Sequence, residues 1–432
     1  MYDLKYISHK NSRINKLLKA LAQLHPKDID LSLGRIKKLL EKLDNPHLKL
    51  SNVIHIAGTN GKGSTATIIF QLLANIGKKV NVYRSPHILS FNERIFLNNK
   101  KISDKYLIEV LEKVYDSNDK NPITFFEIFT AGAFLAFSEN PSDVNIIEVG
   151  LGGKLDATNV IKNNKISIIT PIGLDHKNFL GEKITEIAAE KAGIIESNGI
   201  TICSKQEKKV YPVLAKKIIQ KKNISFIYGK DWIIKNKIMS YKNINIDLSN
   251  LSLLGDHQYL NAGCAILACE NMYNLEIKPK KIITGLSQIS WPGRLQKIEG
   301  RLHNKYKDIN IWIDAAHNGL GFKVLEDWIK KNKLNRLAMI LGLGTNKDIN
   351  DIIPYIVKIN PSILCLVKNF KISNINPYKI KKVSDALKVN TIVSENISSS
   401  IEMCSSFLKN RCNKNLLVTG SISLISEVLE LD

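Results

Sequence analysis

The sequence predicts an α/β protein of more than one domain, built on parallel sheets with crossover helices, and three observations predict it. Short runs rich in valine and isoleucine alternate with longer segments of helical period. Those runs are apolar on both faces, as strands sandwiched between helices must be. A Trp-Pro-Gly break at 291–293 then separates one such series from a second. A chain of 432 residues suits two or three domains with cores of their own, and 44% apolar content suits a globular fold.

In chain order the expected strands are 52–58 (NVIHIAG), 78–83 (KKVNVY), 143–150 (DVNIIEVG), 165–173 (KISIITPIG), 310–314 (NIWID), 337–344 (LAMILGLG), 362–368 (SILCLVK) and 415–421 (NLLVTGS). Helices are expected over 12–24, 31–43, 63–76, 103–116, 125–138 and 256–272. The stretch WPGRLQ (291–296) precedes a polar, Lys-rich segment, after which strands and helices resume, so the domain boundary is placed there. Residues 200–250, rich in Lys and Asn with short apolar runs, read as an irregular elaboration of the first domain and show no chemistry. There is no internal repeat.

Composition excludes more than it selects. The formal charge of +22 invites a nucleic-acid partner, but only eight of the 62 basic residues are Arg, whose bidentate fork groove readers favour. No nucleic-acid partner is expected; what survives is a positive field that attracts polyanionic small molecules. The longest apolar stretch, 123–137, carries Glu127 and is too short to span a bilayer, so no membrane partner and a cytoplasmic location are expected. The six cysteines form no C-x-x-C pair, which points to reduced, buried thiols.

In a doubly wound sheet, ligands bind beyond the carboxyl ends of the strands. Four strand ends here are loaded: 52–58 runs into Gly58-Thr59-Asn60-Gly61-Lys62-Gly63-Ser64-Thr65, 78–83 into Arg84-Ser85-Pro86-His87, 143–150 delivers Glu148, and 165–173 leads to Asp175-His176. Each alone reads as a solvated loop residue; four on one sheet edge read as a site. The glycines let the first loop turn tightly, a helix starting near Ser64 adds its positive end, and Lys62 supplies a point charge, so phosphate is the natural guest. The loop departs from G-x-x-x-x-G-K-[ST], because Gly63 stands where the hydroxyl residue should be. The metal-binding oxygen must then come from Ser64, Thr65 or another strand end. A GTPase would show N-K-x-D, and TNKD at 345–348 does not fit, since Asp348 follows Lys347 directly.

The block GTNGKGST resembles the variant phosphate loop of the Mur ligase superfamily. Around it, DIDLSLGRI (28–36), YRSPHILSFNERI (83–95), ITFFEIFTAGAFL (123–135), EVGLGGKLDATNVI (148–161), DHKNFLGEKITEIAAEKAGII (175–195), WPGRLQ (291–296) and IDAAHN (313–318) resemble its folate branch, dihydrofolate synthase/folylpolyglutamate synthase. The blocks stand in family order over most of the chain, although 200–250 and 350–410 carry little of them. The resemblance implies a P-loop-type, doubly wound ATPase domain (1–296), which also binds a pterin, and a smaller Rossmann-like glutamate ligase domain (297–432) with a cleft between them. It also implies an ATP-dependent ligase that joins L-glutamate to dihydropteroate and to the glutamate tail of tetrahydrofolates through an acyl phosphate. The alternatives are folylpolyglutamate synthase activity alone, or another Mur-type amide ligase.

The resemblance implies roles residue by residue. Gly58, Thr59, Asn60, Gly61, Lys62, Gly63 and Ser64 would hold ATP, with Asn261, Arg294 and Asp314 as further nucleotide contacts. Ser85 and Glu148 would bind one Mg²⁺, and Glu148, His176 and Lys191 (as its carbamate) a second; Lys62, Glu148, His176 and Lys191 would be the catalytic set. Arg294 would couple domain closure to catalysis, or instead bridge the hinge by an ion pair. His317 and Asn318 stand where they could place glutamate. The pterin would contact Ile29, Asp30, Thr124, Phe125, Phe126, Glu127, Leu155, Asp156 and Ala157, with Phe125 and Phe126 equally able to be helix core. Lys154 and Arg84 depart from the family, which commonly has Arg and a small hydroxyl residue there. Small-molecule substrates and a monomer are implied.

Overall fold

The computed structural model describes residues 8–25, 29–162, 165–273 and 279–432. Asp28, the first residue of the 28–36 block, lies outside them. The chain forms two compact units. The first comprises residues up to Gly173, Lys177–Ser252 and His257–Ser290; the second comprises Trp291–Asp432 together with Leu174–His176 and Leu253–Asp256.

The first unit carries an eight-stranded sheet. Its strands are β1 (Val53–Ala57), β2 (Val80–Tyr83), β3 (Ile95–Leu97), β4 (Lys100–Lys101), β5 (Val144–Glu148), β6 (Lys165–Ile169), β7 (Ile200–Cys203) and β8 (Ile224–Ile227). They lie in the order β4-β3-β2-β5-β1-β6-β7-β8, parallel throughout except for β3 and β4. The chain leaves β5 on one side of β1 and returns as β6 on the other. The carboxyl end of β1 is therefore a topological switch point, where such sheets bind ligands. All five residues of β1 are buried, as the apolar-on-both-faces pattern requires.

Residues 200–250 are more regular than the sequence suggested. β7 and β8 extend the main sheet around the helix Tyr211–Gln220, and β9 (Trp232–Lys235), β10 (Ile238–Tyr241) and β11 (Ile244–Asp247) form a three-stranded antiparallel sheet. The pattern hid them because their apolar residues divide between faces: Met239 and Trp232 are buried, whereas Ile233, Ile238 and Ile244 are exposed.

The second unit holds a six-stranded sheet of β12 (Gln296–Lys297), β13 (Asn310–Asp314), β14 (Ala338–Leu341), β15 (Ile363–Val367), β16 (Thr391–Ser394) and β17 (Asn415–Thr419), ordered β12-β13-β17-β14-β15-β16. Alternate residues feed two cores: Ala338, Ile340, Ile363 and Cys365 pack on one face, Met339, Leu341, Leu364 and Leu366 on the other. Five of the six cysteines are buried thiols, and Cys412 is exposed. Among the described residues no helix is long and apolar enough to cross a membrane.

Candidate active site

The glycine loop after β1 turns straight into the helix Lys62–Asn75, whose N-cap Gly61 sits at φ +92°. The helix begins one residue earlier than its sequence pattern suggested, which makes Lys62 its first residue. Thr65 N–H already bonds Gly61 O at 2.9 Å, so the amides unpartnered within the helix are those of its first residues, with the positive end of the dipole behind them. Thr65 Oγ1 is buried without a partner among the described residues. An orphaned hydroxyl beside orphaned amides suits a phosphate or its counterion.

Thr59 and Asn60 act differently from the remainder of the loop. Both donate their amides to Pro171 O, at 3.0 and 3.3 Å, and Thr59 Oγ1 exchanges hydrogen bonds with Gly173. They moor the loop to the turn after β6. Lys62 Nζ gives two donors to Gly58 O (3.1 Å) and Thr59 O (3.2 Å). Gly58 cannot carry a side chain, since a Cβ there would lie 1.8 Å from Thr170 Oγ1, and one on Gly61 would lie 2.6 Å from Asn261 Oδ1. Asn261 thus meets the loop at its tightest turn, 200 residues on in sequence.

Glu148 ends β5 buried, and its Oε2 accepts the amide of Ser85 at 3.3 Å. Two of the three candidate metal residues of the first unit therefore sit together. Beside them Arg84 donates to Glu93 O and Thr67 Oγ1 and lies over the Phe96 ring, so the departure from a small hydroxyl residue fills a structural position. Burial pushes its guanidinium down to about 10, against the pull of Glu148.

The turn after β5 and the end of the helix Ile184–Lys191 interlock through glycines. A Cβ on Gly153 would stand 2.7 Å from Glu190 O and 3.0 Å from Lys191 Cα, and one on Gly193 would stand 2.4 Å from Lys154 Cα. Lys154 N–H closes the contact by donating to Glu190 O at 2.8 Å. Lys191 is buried at this junction.

The expected pterin residues come together along the helix Phe125–Glu139. Thr124 caps it, exchanging bonds with Glu127. Glu127 Oε2 takes Thr124 Oγ1 at 2.7 Å and Arg35 Nε at 3.0 Å, while its Oε1 is buried without a partner among the described residues. Arg35, a residue the sequence reading missed, spreads its fork over Glu127, Asp30 Oδ2 and Asp30 O. It thereby pins the segment holding Ile29 and Asp30 against the helix start. Phe125 and Phe126 are half-buried; Phe126 stacks on Tyr83, and a Cβ on Gly150 would strike its ring at 2.4 Å. Leu155 is exposed and Ala157 buried. Asp156 does not stand ready to accept from a heterocycle. Its oxygens take the amides of Gly150, Leu151 and Thr158 and the Thr158 hydroxyl.

In the second unit, Asp175 gathers a cluster. Lys347 Nζ approaches at 2.8 Å, Asn318 Nδ2 at 2.8 Å and His317 Nε2 at 3.5 Å. Burial pushes its carboxyl up, but the His317 hydrogen bond and the Lys347 charge outweigh that and hold it far below the usual range. His176 follows in the left-handed region at φ +52°. Burial lowers it to about 3 against the pull of Asp175, so it is neutral near pH 7, with a buried Nδ1 lacking a partner among the described residues. Asp314 spends its oxygens on the amides of Leu295 and Ala316, and Arg294 donates to Gly293 O while lying 5.9 Å from the Trp291 ring centre. Asp314 therefore fixes the linker that carries Arg294.

The chain matches the Mur ligase middle domain over residues 56–269 and the dihydrofolate synthetase C-terminal domain over 296–431. It is 32% identical over 417 residues to the Bacillus subtilis dihydrofolate synthase/folylpolyglutamate synthase, covering 92% of this chain and 94% of the relative. The chain belongs to the dihydrofolate synthase/folylpolyglutamate synthase family. It is an ATP-dependent ligase of folate metabolism that joins glutamate to its acceptor. Among other relatives of this family, the yeast (Saccharomyces cerevisiae) dihydrofolate synthetase is 30% identical, with 93% of this chain and 98% of that protein covered. The structure of E. coli FolC in complex with DHPP and ADP superposes with a TM-score of 0.85 at 25% identity, covering 97% of each chain.

Proposed function

We propose that this ligase joins L-glutamate to dihydropteroate and to the glutamate tail of tetrahydrofolates, with ATP as phosphoryl donor and Mg²⁺ as counterion. The observation that carries the reading is the turn from Gly61 to Thr65. It sits at the switch point of the first sheet and presents helix-start amides, Lys62 and an orphaned hydroxyl, and β5 ends beside β1 in the Glu148–Ser85 pair.

Lys62 and the amides of Gly63 and Ser64 hold the phosphates, with Gly58 and Gly61 permitting the turn and Thr59 and Asn60 mooring it. Glu148 and Ser85 would offer hard oxygen to one Mg²⁺, and Glu148, His176 and Lys191, as its carbamate, would hold the second. The donor set fits: Mg²⁺ is held by one or two carboxylates and substrate phosphates rather than by a protein cage. When bound, the ions neutralise the charge that develops as phosphate passes to the acceptor carboxylate and the glutamate amine displaces it. His176 suits its part because it is neutral and keeps a lone pair. Asn261, Arg294 and Asp314 serve the nucleotide, Asp314 by fixing the Arg294 linker.

For the acceptor, Phe125, Phe126 and Leu155 supply apolar faces and Glu127 Oε1 an acceptor for a ring amino group, while Ile29, Asp30, Thr124, Asp156 and Ala157 shape the surround. The protein acts as a cytoplasmic monomer without nucleic acid or membrane. The test is glutamate-dependent phosphate release from ATP, first with dihydropteroate, then with tetrahydrofolate. Turnover with both is expected. Silence with both, together with turnover on a different carboxylate, would overturn the acceptor assignment.

A further inference from the structure

Beneath the turn after β5 a row of buried polar groups leads to Asp156, and none of the roles above uses its other members. His55, in the middle of β1, has no exposed surface. Its Nε2 lies 2.8 Å from Thr158 Oγ1 and its Nδ1 lies 3.5 Å from Lys165 Nζ, at the start of β6. Thr158 Oγ1 lies 2.5 Å from Asp156 Oδ1.

Counting donors places the protons. An ammonium only donates, and Lys165 reaches His55 Nδ1, Asn159 Oδ1 at 3.5 Å and Ile161 O at 3.3 Å. His55 Nδ1 must therefore be bare, and its proton sits on Nε2, from which it goes to Thr158 Oγ1. The single hydroxyl proton of Thr158 then goes to Asp156. Every bond in the row points at the carboxylate, which is where an anion is best supported away from water.

Asp156 passes this order on. It holds the amides of Gly150 and Leu151, and Gly150 backs directly onto the Phe126 ring. Next to Phe126, the buried Oε1 of Glu127, unpartnered among the described residues, is an independent sign that the expected pterin site takes a hydrogen-bond donor from a ligand.

We propose that Lys165, His55 and Thr158 are positioning residues for the acceptor, a one-way row of hydrogen bonds that fixes Asp156 as an anionic hub and through it the Gly150–Phe126 wall of the pocket. The proposal rests on the assignment of the pterin to this pocket. It goes beyond that assignment by giving the affinity for the acceptor to residues that cannot touch it.

The test compares Thr158→Val, which keeps the shape but breaks the row, with Thr158→Ser, which keeps the hydroxyl. Removing one partner of a buried bond corresponds to roughly a tenfold or greater change, so Thr158→Val raises the KM for dihydropteroate by about that factor. The KM for ATP stays near wild type, and Thr158→Ser restores the acceptor KM. Lys165→Met is read in the same way should Thr158→Val fail to fold. In the wild-type protein, nitrogen NMR is expected to find His55 neutral with its proton on Nε2. An unchanged acceptor KM, a parallel change in both KM values, or a proton on Nδ1 would overturn the proposal. Should the wild type turn over neither pterin, the acceptor reading fails instead, and the His55 tautomer still decides whether the row exists.

Discussion

The two sheets end in opposite ways. At the carboxyl end of β1, Lys62 Nζ is held by Gly58 O and Thr59 O, but the helix-start amides have no partner within the helix and the Thr65 hydroxyl has none among the described residues. At the carboxyl end of β13 the acid is already committed, Asp314 to the amides of Leu295 and Ala316. In the same unit Asp175 is committed to Lys347, Asn318 and His317. The first edge is arranged to receive an anion, and the second has neutralised its own. An open edge binds because its desolvated donors gain a partner only with ligand; a closed edge holds a shape, because any ligand must first displace bonds already made.

Breaking the open edge at its metal pair should have the largest effect. Glu148→Gln keeps the volume and a hydrogen-bond acceptor for Ser85 but removes the charge. The expected loss in kcat is about 10³-fold, the scale of one preorganised charge contact at a reacting phosphate, with the circular dichroism and melting temperature unchanged. Substantial residual turnover, measured as phosphate release, would mean that the metal is held elsewhere.

That edge was also the more legible in sequence. Gly58 to Ser64 and Glu148 announce themselves because glycine spacing and strand ends are local signals. Arg35 did not, since its meaning lies in Glu127, 92 residues away; its sequence signals were its rarity among so many lysines and its place in the 28–36 block. His55 and Lys165 were hidden inside strands read simply as apolar, and Asp156 looked like a substrate acid because no pattern shows where a carboxylate spends its oxygens. Lys347 was weighed only as a failed nucleotide motif, whereas folding makes it the partner of Asp175.

The closed edge should respond in stability rather than in chemistry alone. Lys347→Met strands a buried carboxylate, which costs about 3 kcal/mol on the scale of broken buried pairs. Adding Asp175→Asn in that background should recover much of the loss, a double-mutant cycle read by urea unfolding. If Lys347→Met unfolds at the wild-type midpoint, the pair is not what holds the second unit's cluster together.

Between these lies a test of shape in the open edge. Gly61→Ala forces a side chain onto φ +92° and toward Asn261 Oδ1, displacing the turn by a fraction of an ångström to an ångström. A loss of about 10²-fold in kcat/KM for ATP is expected, the usual cost of such a misplacement. The acceptor KM should stay near wild type. An equal loss for both substrates would show that the loop and the acceptor pocket move as one body.

Protons give the finest probe of what the first unit holds fixed. His55 is pushed well below its ordinary 6.5, by burial first and by the Lys165 charge second. It therefore stays neutral in the fold while the unfolded chain protonates. For a histidine lowered by folding, the unfolded state binds more protons below 6.5, so the stability present above that pH is lost as pH falls. Between pH 6.5 and 5 one such group contributes about 1.6 kcal/mol of loss, since the full 1.36 kcal/mol per unit applies only once the unfolded histidine is mostly protonated. His317 is lowered too, by burial first, so the absolute slope mixes both units, and the informative quantity is a difference. His55→Gln, which keeps an N–H for Thr158 and has no titration, should flatten the dependence of unfolding free energy on pH by that amount over the same window. A slope unchanged by His55→Gln would mean that water reaches the imidazole, and that the inside of this sheet is less sealed than its strands suggest.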